Sequence, residues 1–266
     1  MSTRRRLDAE LVRRGLVANR QEAQAAIAAG RVLVAGAPAA KPARLVGADE
    51  ALVVRDAERR FVSRGGEKLH AALERFGIDV AGRLALDAGA STGGFTDCLL
   101  QRGAAAVVAV DVGYGQLHPR VRRDPRVTVM ERTNVRSLSL SEPVDLVVAD
   151  LSFISLATVA PALVGTNARP GADVVLLVKP QFEAGRQEAS RSRGVIRDPA
   201  VWRRVLGEVR AALASHRAAM MDVMVSPLKG ADGNVEFLAH LRAHDPGPGI
   251  DETRLDAVVA EAREAG

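Results

Sequence analysis

An α/β fold built on a mostly parallel sheet, preceded by a small α+β module, is predicted by three features of the 266-residue sequence. From residue 84 onward, short near-continuous aliphatic runs alternate with segments of helical composition, the pattern of strands buried on both faces and joined by helical crossovers. The first of these runs, LALDA, leads directly into the glycine turn GASTGG. Basic charge is segregated at the start: residues 1–70 hold 14 Lys and Arg against 8 Asp and Glu, while the rest of the chain holds 23 against 24.

The composition narrows the function classes. A hydrophobic content of 47% fills a core and excludes wholesale disorder. The single cysteine, Cys98, excludes an internal disulfide framework and a CxxC metal site. Of the five histidines only His240 and His244 lie close in sequence, and their spacing reads as a solvated helix face, so no metal is expected. No signal-peptide pattern opens the chain, and no apolar run approaches the roughly 18 residues of a membrane span. The expectation is a soluble, cytoplasmic protein with no membrane partner; oligomeric state is not legible.

The first elements are short. Leu7, Leu11 and Val12 form an apolar helical stripe ending at Gly15, and Asn19 is placed to cap a second helix that runs to Ala29 and stops at Gly30. Two β-type runs follow, Val32–Val34 and Leu52–Val54, separated by turns at Gly36, Pro38 and Pro42. Arginines gather around the two helices. The stretch resembles the S4 RNA-binding domain, with Asn19 where that family commonly has serine. The resemblance implies salt-sensitive, largely shape-directed docking to structured RNA, with Arg4, Arg6, Arg14, Arg20 and Lys41 as the contacts. The expected organisation is an S4-like domain over 1–58, a linker over 59–63 and a catalytic domain over 64–266.

In the larger part, strands are expected at Leu84–Ala88, Val107–Asp111, Val127–Met130, Leu146–Asp150 and Val174–Lys179. Helical segments include Thr96–Arg102, Ala157–Val164 and Val201–Ser215, and the runs Met221–Val225 and Val235–Ala239 can close the sheet as an antiparallel hairpin. This is the layout of Rossmann-like class I methyltransferases. The loop RQEASRSRGVIRDP, carrying Arg186, Arg191, Arg193 and Arg197, reads either as a lid that touches phosphate or as a solvated loop.

Ligands in open α/β sheets bind beyond the carboxyl ends of the strands, which draws attention to LALDAGASTGGFTD. A dinucleotide fingerprint needs a second glycine where Ser91 stands. The letters GxSxG at Gly89–Gly93 match a nucleophile elbow, although an α/β-hydrolase places that elbow after several earlier strands. The third reading is S-adenosylmethionine: Asp87 closes one strand near the methionine amine, Gly89, Ser91, Gly93, Gly94 and Phe95 form the turn, and Asp111 closes the next strand where a carboxylate can take the ribose hydroxyls. A plain loop accounts for the glycines but not for two spaced strand-end aspartates.

Of 37 basic residues only Lys41, Lys68, Lys179 and Lys229 are lysine. An amine, unlike a guanidinium, can be tuned toward proton transfer. Lys179 and Asp150 end neighbouring strands, Glu236 opens the last one and Lys68 precedes the first. Two amines and two carboxylates beside a methyl donor suit transfer to a sugar hydroxyl, a poor acid that must be oriented and relieved of its proton. The motifs SRGGEKL, LDAGASTGGFTD, VDVGYGQL, ERTNVR, DLVVADLSFISL, LLVKPQFE and GNVEF together resemble the TlyA (hemolysin A-like) family of ribosomal RNA 2′-O-methyltransferases over essentially the whole chain. The resemblance implies a catalytic set of Lys68, Asp150, Lys179 and Glu236, and S-adenosylmethionine held near Asp87, Gly89, Gly93, Asp111 and Asn134. It also implies ribosomal subunits as partners, with cytidine in 16S and/or 23S rRNA as substrate. Rival readings are a serine hydrolase, a membrane-active hemolysin, and an RNA-binding protein without methyltransferase activity. Arg59-Arg60-Phe61-Val62 departs from the family's linker, which commonly has tryptophan in the third place.

Overall fold

The computed structural model describes residues 4–55, 60–185, 188, 192, 194–245 and 247–264. They form two compact units, the second beginning at Arg60.

In the first unit, β1 (Arg5–Arg6), α1 (Leu7–Arg13) and α2 (Arg20–Ala28) are followed by β2 (Val32–Val34), β3 (Ala37–Pro38), β4 (Leu45–Val46) and β5 (Leu52–Val54). β2 pairs antiparallel with both β3 and β5, and β1 pairs with β4. The expected cap is present: Asn19 Oδ1 accepts from the Glu22 N–H at 2.9 Å, and the Glu22 carboxylate reaches back to the Ala18 N–H at 2.8 Å. Two helix-end donors are thereby satisfied. Leu7, Leu11, Ala23, Ile27, Val32 and Val34 pack as the core of this unit.

The second unit runs α3 (Gly65–Phe76), β6 (Leu84–Ala88), α4 (Gly94–Gln101), β7 (Ala106–Val110), α5 (Pro119–Arg122), β8 (Val127–Met130), β9 (Val144–Ala149), α6 (Leu156–Ala160), β10 (Ala168–Val178), α7 (Pro180–Glu183), α8 (Pro199–Ser215), β11 (Ala219–Val225), β12 (Phe237–Arg242) and α9 (Glu252–Glu264). Its seven strands lie in the order β11-β12-β10-β9-β6-β7-β8. Strands β6 to β10 are mutually parallel, and β12 is antiparallel to both β10 and β11. The expected mostly parallel sheet of seven strands is therefore observed. Both faces are buried: Leu86, Val147, Val174 and Leu176 belong to one apolar cluster, and Ala85, Leu146, Val148 and Val175 to the other. Period-two alternation between two covered faces is why these strands are aliphatic at most positions on both faces.

Four expectations shift. β10 begins at Ala168, earlier than expected, because Arg169-Pro170-Gly171 carries no strand signal; its register against β9 breaks between Ala168 and Asp173. The helix expected over Ala157–Val164 is α6 followed by a π-helical turn at Pro161–Thr166, since Pro161 has no N–H to continue the α pattern. The last strand is Phe237–Arg242, so His240 is not on a solvated helix face. It is buried in β12, bonded to Asp173 at 2.7 Å and stacked on Phe76. Of the stretch 59–63, Arg59 lies outside the described residues. Phe61 is 2% exposed in the core of the second unit, and the Val62 N–H donates to Asp97 at 2.8 Å, so these residues are structural parts of that unit.

The β9–β10 crossover is fastened by a fully buried asparagine. Asn167 Nδ2 donates to the carbonyls of Leu138 at 3.0 Å and Ala162 at 2.9 Å, and its Oδ1 accepts from the Leu140 N–H at 2.8 Å. Asn167→Ala leaves the Leu138 carbonyl and the Leu140 N–H without partners, the Ala162 carbonyl keeping the Asn167 backbone N–H, and is expected to cost about 2–3 kcal/mol. The check is the denaturation midpoint at unchanged m-value; a loss under about 0.5 kcal/mol contradicts this account.

Candidate active site

The carboxyl edge of the sheet collects the charged residues. Ala88 of β6 and Leu176 of β10 both pair with Ala149 of β9, so the strand ends fall side by side. Asp150 follows β9 directly, with its N–H on the Ala88 carbonyl at 3.0 Å, and Lys179 follows β10. Because β12 runs antiparallel, with Phe237 opposite Val178, Glu236 just before it reaches the same edge.

All four expected catalytic side chains take part in ion pairs here. Lys179 Nζ lies 2.5 Å from Asp150 Oδ1 and donates to Ser152 Oγ at 3.0 Å. Lys68, on α3, places Nζ 2.5 Å from Glu236 Oε2. Lys68 and Lys179 are each 9% exposed and Glu236 2%, so each buried charge needs its partner. A cavity of about 240 Å³, whose walls include Ser63, Gly65, Lys68, Phe95 and Asp150, joins the two pairs. Lys68 and Asp150 line it, and Glu236 and Lys179 are each paired with one of these two.

A second cavity of about 370 Å³ shares Gly89, Ser91 and Asp150 with the first and is also lined by Asp111, Asn134 and Phe153. The glycine turn lies between them. Gly89 has φ +85°, and a Cβ there falls 2.5 Å from the Asp150 carbonyl oxygen, so only glycine fits. At Gly94 a Cβ falls 2.9 Å from the Gly66 nitrogen, which explains the close approach of α3 and α4. Gly93 is the left-handed residue before α4, and Phe95 is buried against Gly65. Asp111 accepts the N–H groups of Ser91 and Gly113, both at 2.7 Å, and its carboxylate faces the larger cavity. Asn134 caps a single 3₁₀ turn at Val135–Ser137.

Asp87 is fully buried beneath the turn. Thr96 Oγ1 donates to its Oδ2 at 2.6 Å, while Oδ1 has no hydrogen-bond partner. An orphaned carboxylate oxygen under a glycine turn, beside a cavity bearing a strand-end aspartate, fits a nucleoside ligand that carries an ammonium group. Ser91 Oγ meets Gln116 at 3.4 Å with no histidine among its partners, so the elbow lacks a base.

Three residues not singled out from sequence shape the site. Ser152 is the second acceptor for Lys179. Glu183 accepts from Ser155 Oγ at 2.6 Å and from the Leu156 N–H at 2.9 Å, which fastens the loop after β9 to α7. Burial pushes its carboxyl up, against those two hydrogen bonds. Phe153, held at φ +64°, is 91% exposed with its ring 4.9 Å from Phe182. Ser152 and Phe153 lie in DLSFIS and Glu183 in KPQFE, so the signal was present as motif without an assignable role.

The expected RNA contacts divide by geometry. Arg4 and Lys41 are exposed. Arg6 and Arg20 both bind the buried Asp8, and the Arg6 guanidinium leads in holding that carboxyl well below the usual range. Arg14 turns inward, donating to Glu10 and to the carbonyls of Gly47, Ala48 and Glu50, so its role is to close the fold of its unit. Of the loop arginines, Arg186, Arg191 and Arg193 lie outside the described residues, and Arg197 is exposed just before α8.

Comparison with known proteins agrees with both units. The FtsJ-like methyltransferase family model matches residues 61–243 and the S4 domain model residues 5–52. The chain is 57% identical over 252 residues, 91% of each chain, to the 16S/23S rRNA (cytidine-2′-O)-methyltransferase TlyA of Mycobacterium tuberculosis. It is 39% identical to hemolysin A of Brachyspira hyodysenteriae, covering 88% of this chain and 98% of that one. A solved structure from Streptococcus thermophilus bearing a hemolysin label matches with a TM-score of 0.75 at 37% identity, covering 99% and 97% of the two chains.

Burial pushes the Asp87 carboxyl up to about 7; the Thr96 hydrogen bond opposes this and the Asp150 charge adds to it. An unfolded aspartate titrates near 3.9, at about 4 in round terms. The folded state thus binds this proton more tightly, and the stability it contributes is full below about pH 4 and lost as pH rises through about 7. Without ligand, Asp87→Asn is expected to be more stable than the parent near pH 8, on the order of 2–4 kcal/mol, with the gap closing toward pH 4. Thermal unfolding across that range checks it; a gap independent of pH overturns the assignment.

Proposed function

Because the chain belongs to the FtsJ-like methyltransferase family, in the TlyA group that carries an S4 domain ahead of the catalytic unit, we propose that it methylates the ribose 2′-hydroxyl of cytidine in 16S and/or 23S ribosomal RNA. The methyl donor is S-adenosylmethionine and the work is done on ribosomal subunits in the cytoplasm. The observation that carries this reading is the meeting of one buried and one partly buried lysine–carboxylate pair at a cavity that shares its glycine turn with a nucleoside-sized one.

S-adenosylmethionine, when bound, supplies an electrophilic methyl carbon on a sulfonium. Asp111 would take the hydroxyls of its ribose, Gly89 would let the backbone approach, and the free oxygen of Asp87 would answer its ammonium group. The other residues serve the nucleophile. Two of the three Lys179 N–H bonds are committed to Asp150 and Ser152. The third is left for the 2′-oxygen, whose developing negative charge the amine would stabilise while the hydroxyl proton passes to solvent water. Asp150 fixes that amine, and the Lys68–Glu236 pair holds the ribose at the opposite wall. Holding the 2′-oxygen in place in this way would supply most of the acceleration through proximity and orientation. The exposed ring of Phe153 offers a stacking face for a base drawn out of its RNA helix.

The test is transfer of tritium from labelled S-adenosylmethionine to each ribosomal subunit, with ribose methylation mapped on the product. Lys179→Ala is expected to keep cofactor affinity within about twofold and to lose turnover on the order of 10³-fold. A parent protein that labels neither subunit, or a variant with full turnover, removes the proposal.

A further inference from the structure

His70, on α3, is held between two guanidinium groups. Arg60 Nη1 lies 2.6 Å from its Nε2, and Arg102 Nη2 lies 2.6 Å from its Nδ1, with Arg102 Nε at 3.2 Å. A guanidinium only donates hydrogen bonds. A neutral imidazole accepts at one ring nitrogen and carries hydrogen on the other, and an imidazolium accepts at neither. One of the two contacts therefore sets N–H against N–H in every protonation state.

Among the described residues no carboxylate is bonded to His70 or to Arg60. Arg102 is already paired with Glu74, Arg120 with Asp97 at 2.5 Å and Arg126 with Asp124 at 2.8 Å. Arg60 has no carboxylate partner among the described residues; its contacts are His70 and the face of the Phe61 ring at 5.1 Å. Its position is nonetheless fixed. Gln101 Nε2 donates to the Arg60 carbonyl at 2.9 Å, and the next peptide but one is fastened to Asp97. Arg60 also opens onto a surface cleft of about 440 Å³ shared with Arg120 and Arg126, where both aspartates are already taken. The cluster is rich in ordered donors and short of one anionic oxygen.

We infer that Arg60, His70 and Arg102 bind a backbone phosphodiester of the RNA substrate, which accepts from both guanidinium groups while the imidazole donates to it. This rests on the RNA reading above and adds a phosphate contact on the catalytic unit itself. A phosphate oxygen accepts several donors at once and resolves the conflict that a single imidazole nitrogen cannot. The open cleft suits a chain passing over the surface, and phosphate contacts of this kind set register rather than read sequence. In the free protein His70 is held below its ordinary value by burial, then by Arg102 and Arg60, against the opposing charges of Glu74 and Glu67. Bound phosphate offsets the two arginines, so binding takes up a proton and strengthens as pH falls.

The experiment measures binding of the full-length protein to purified 16S and 23S rRNA over a salt series, near pH 6 and near pH 8. Arg60→Ala is expected to bind about tenfold more weakly and to flatten the slope of log K against log salt by about 0.9. Arg60→Glu should weaken binding further, and His70→Gln should remove the difference between the two pH values. An Arg60→Ala protein with the parent's affinity and slope overturns the site. So does an effect reproduced by inorganic phosphate alone, namely stabilisation of the parent but not of Arg60→Ala while RNA affinity stays equal. If the parent transfers methyl to rRNA while these variants bind it normally, this site falls and the methyltransferase reading stands; if the parent neither binds nor methylates rRNA, the reading beneath it falls instead.

Discussion

A lysine ammonium removed from water must meet a carboxylate, and at this sheet edge that requirement depends on strand direction. Asp150 and Lys179 come together because β9 and β10 are parallel neighbours whose carboxyl ends lie side by side, β10 running two residues beyond its last pairing with β9. Glu236 reaches the same edge only because β12 is inserted antiparallel beside β10, so that its first residue lies where its neighbour's last residue lies. A parallel strand in that slot puts Glu236 at the far edge and leaves Lys68 buried without a counter-charge, a cost of several kcal/mol. The one reversal in an otherwise parallel order thus completes the second ion pair.

That pair in turn constrains α3. Lys68 belongs to a helix that enters before the first strand, and its amine reaches the sheet only if α3 lies close against α4. The glycines at positions 66 and 94 permit this approach, and Phe61, packed over Gly66, closes it from the side of the preceding segment. The same segment carries Arg60, whose carbonyl and neighbouring amide are held by Gln101 and Asp97 on α4. Covalent continuity and two hydrogen bonds therefore connect the start of the catalytic unit to the turn between its cavities.

Much of this was readable from the chain because strand ends are marked by abrupt changes of residue type. LALDAG, VVADL and LLVKP pass from aliphatic to charged within one residue, and the sheet places each charge at the edge. What remained hidden depends on contacts distant in sequence. Arg13 and Arg14 are the same letter, yet one is half exposed and the other spends its guanidinium on carbonyls more than 30 positions away. Glu183 reads as the end of a short motif until its partners, 27 and 28 positions earlier, are seen. The π-helical turn and the early start of β10 were obscured by proline, whose local meaning is a break and whose tertiary meaning here is an altered pattern. His240 was misplaced because its spacing to His244 suits a helix, whereas the apolar run around it belongs to a strand.

The basic excess of the first 70 residues overstates the charge free to meet a polyanion. Asp8 and Glu10, both buried, hold Arg6, Arg20, Arg13 and Arg14. A guanidinium fixed by a carboxylate on one edge still presents its other edge, but in one orientation and with its field largely cancelled at a distance. Affinity built this way falls off steeply when the phosphates are misplaced, so selection among structured RNAs comes from where the remaining donors point rather than from net charge. The unpaired guanidinium of Arg60 follows the same logic in the second unit. Its donors are ordered by the fold, it has no carboxylate partner among the described residues, and the geometry leaves that place to an oxygen from elsewhere.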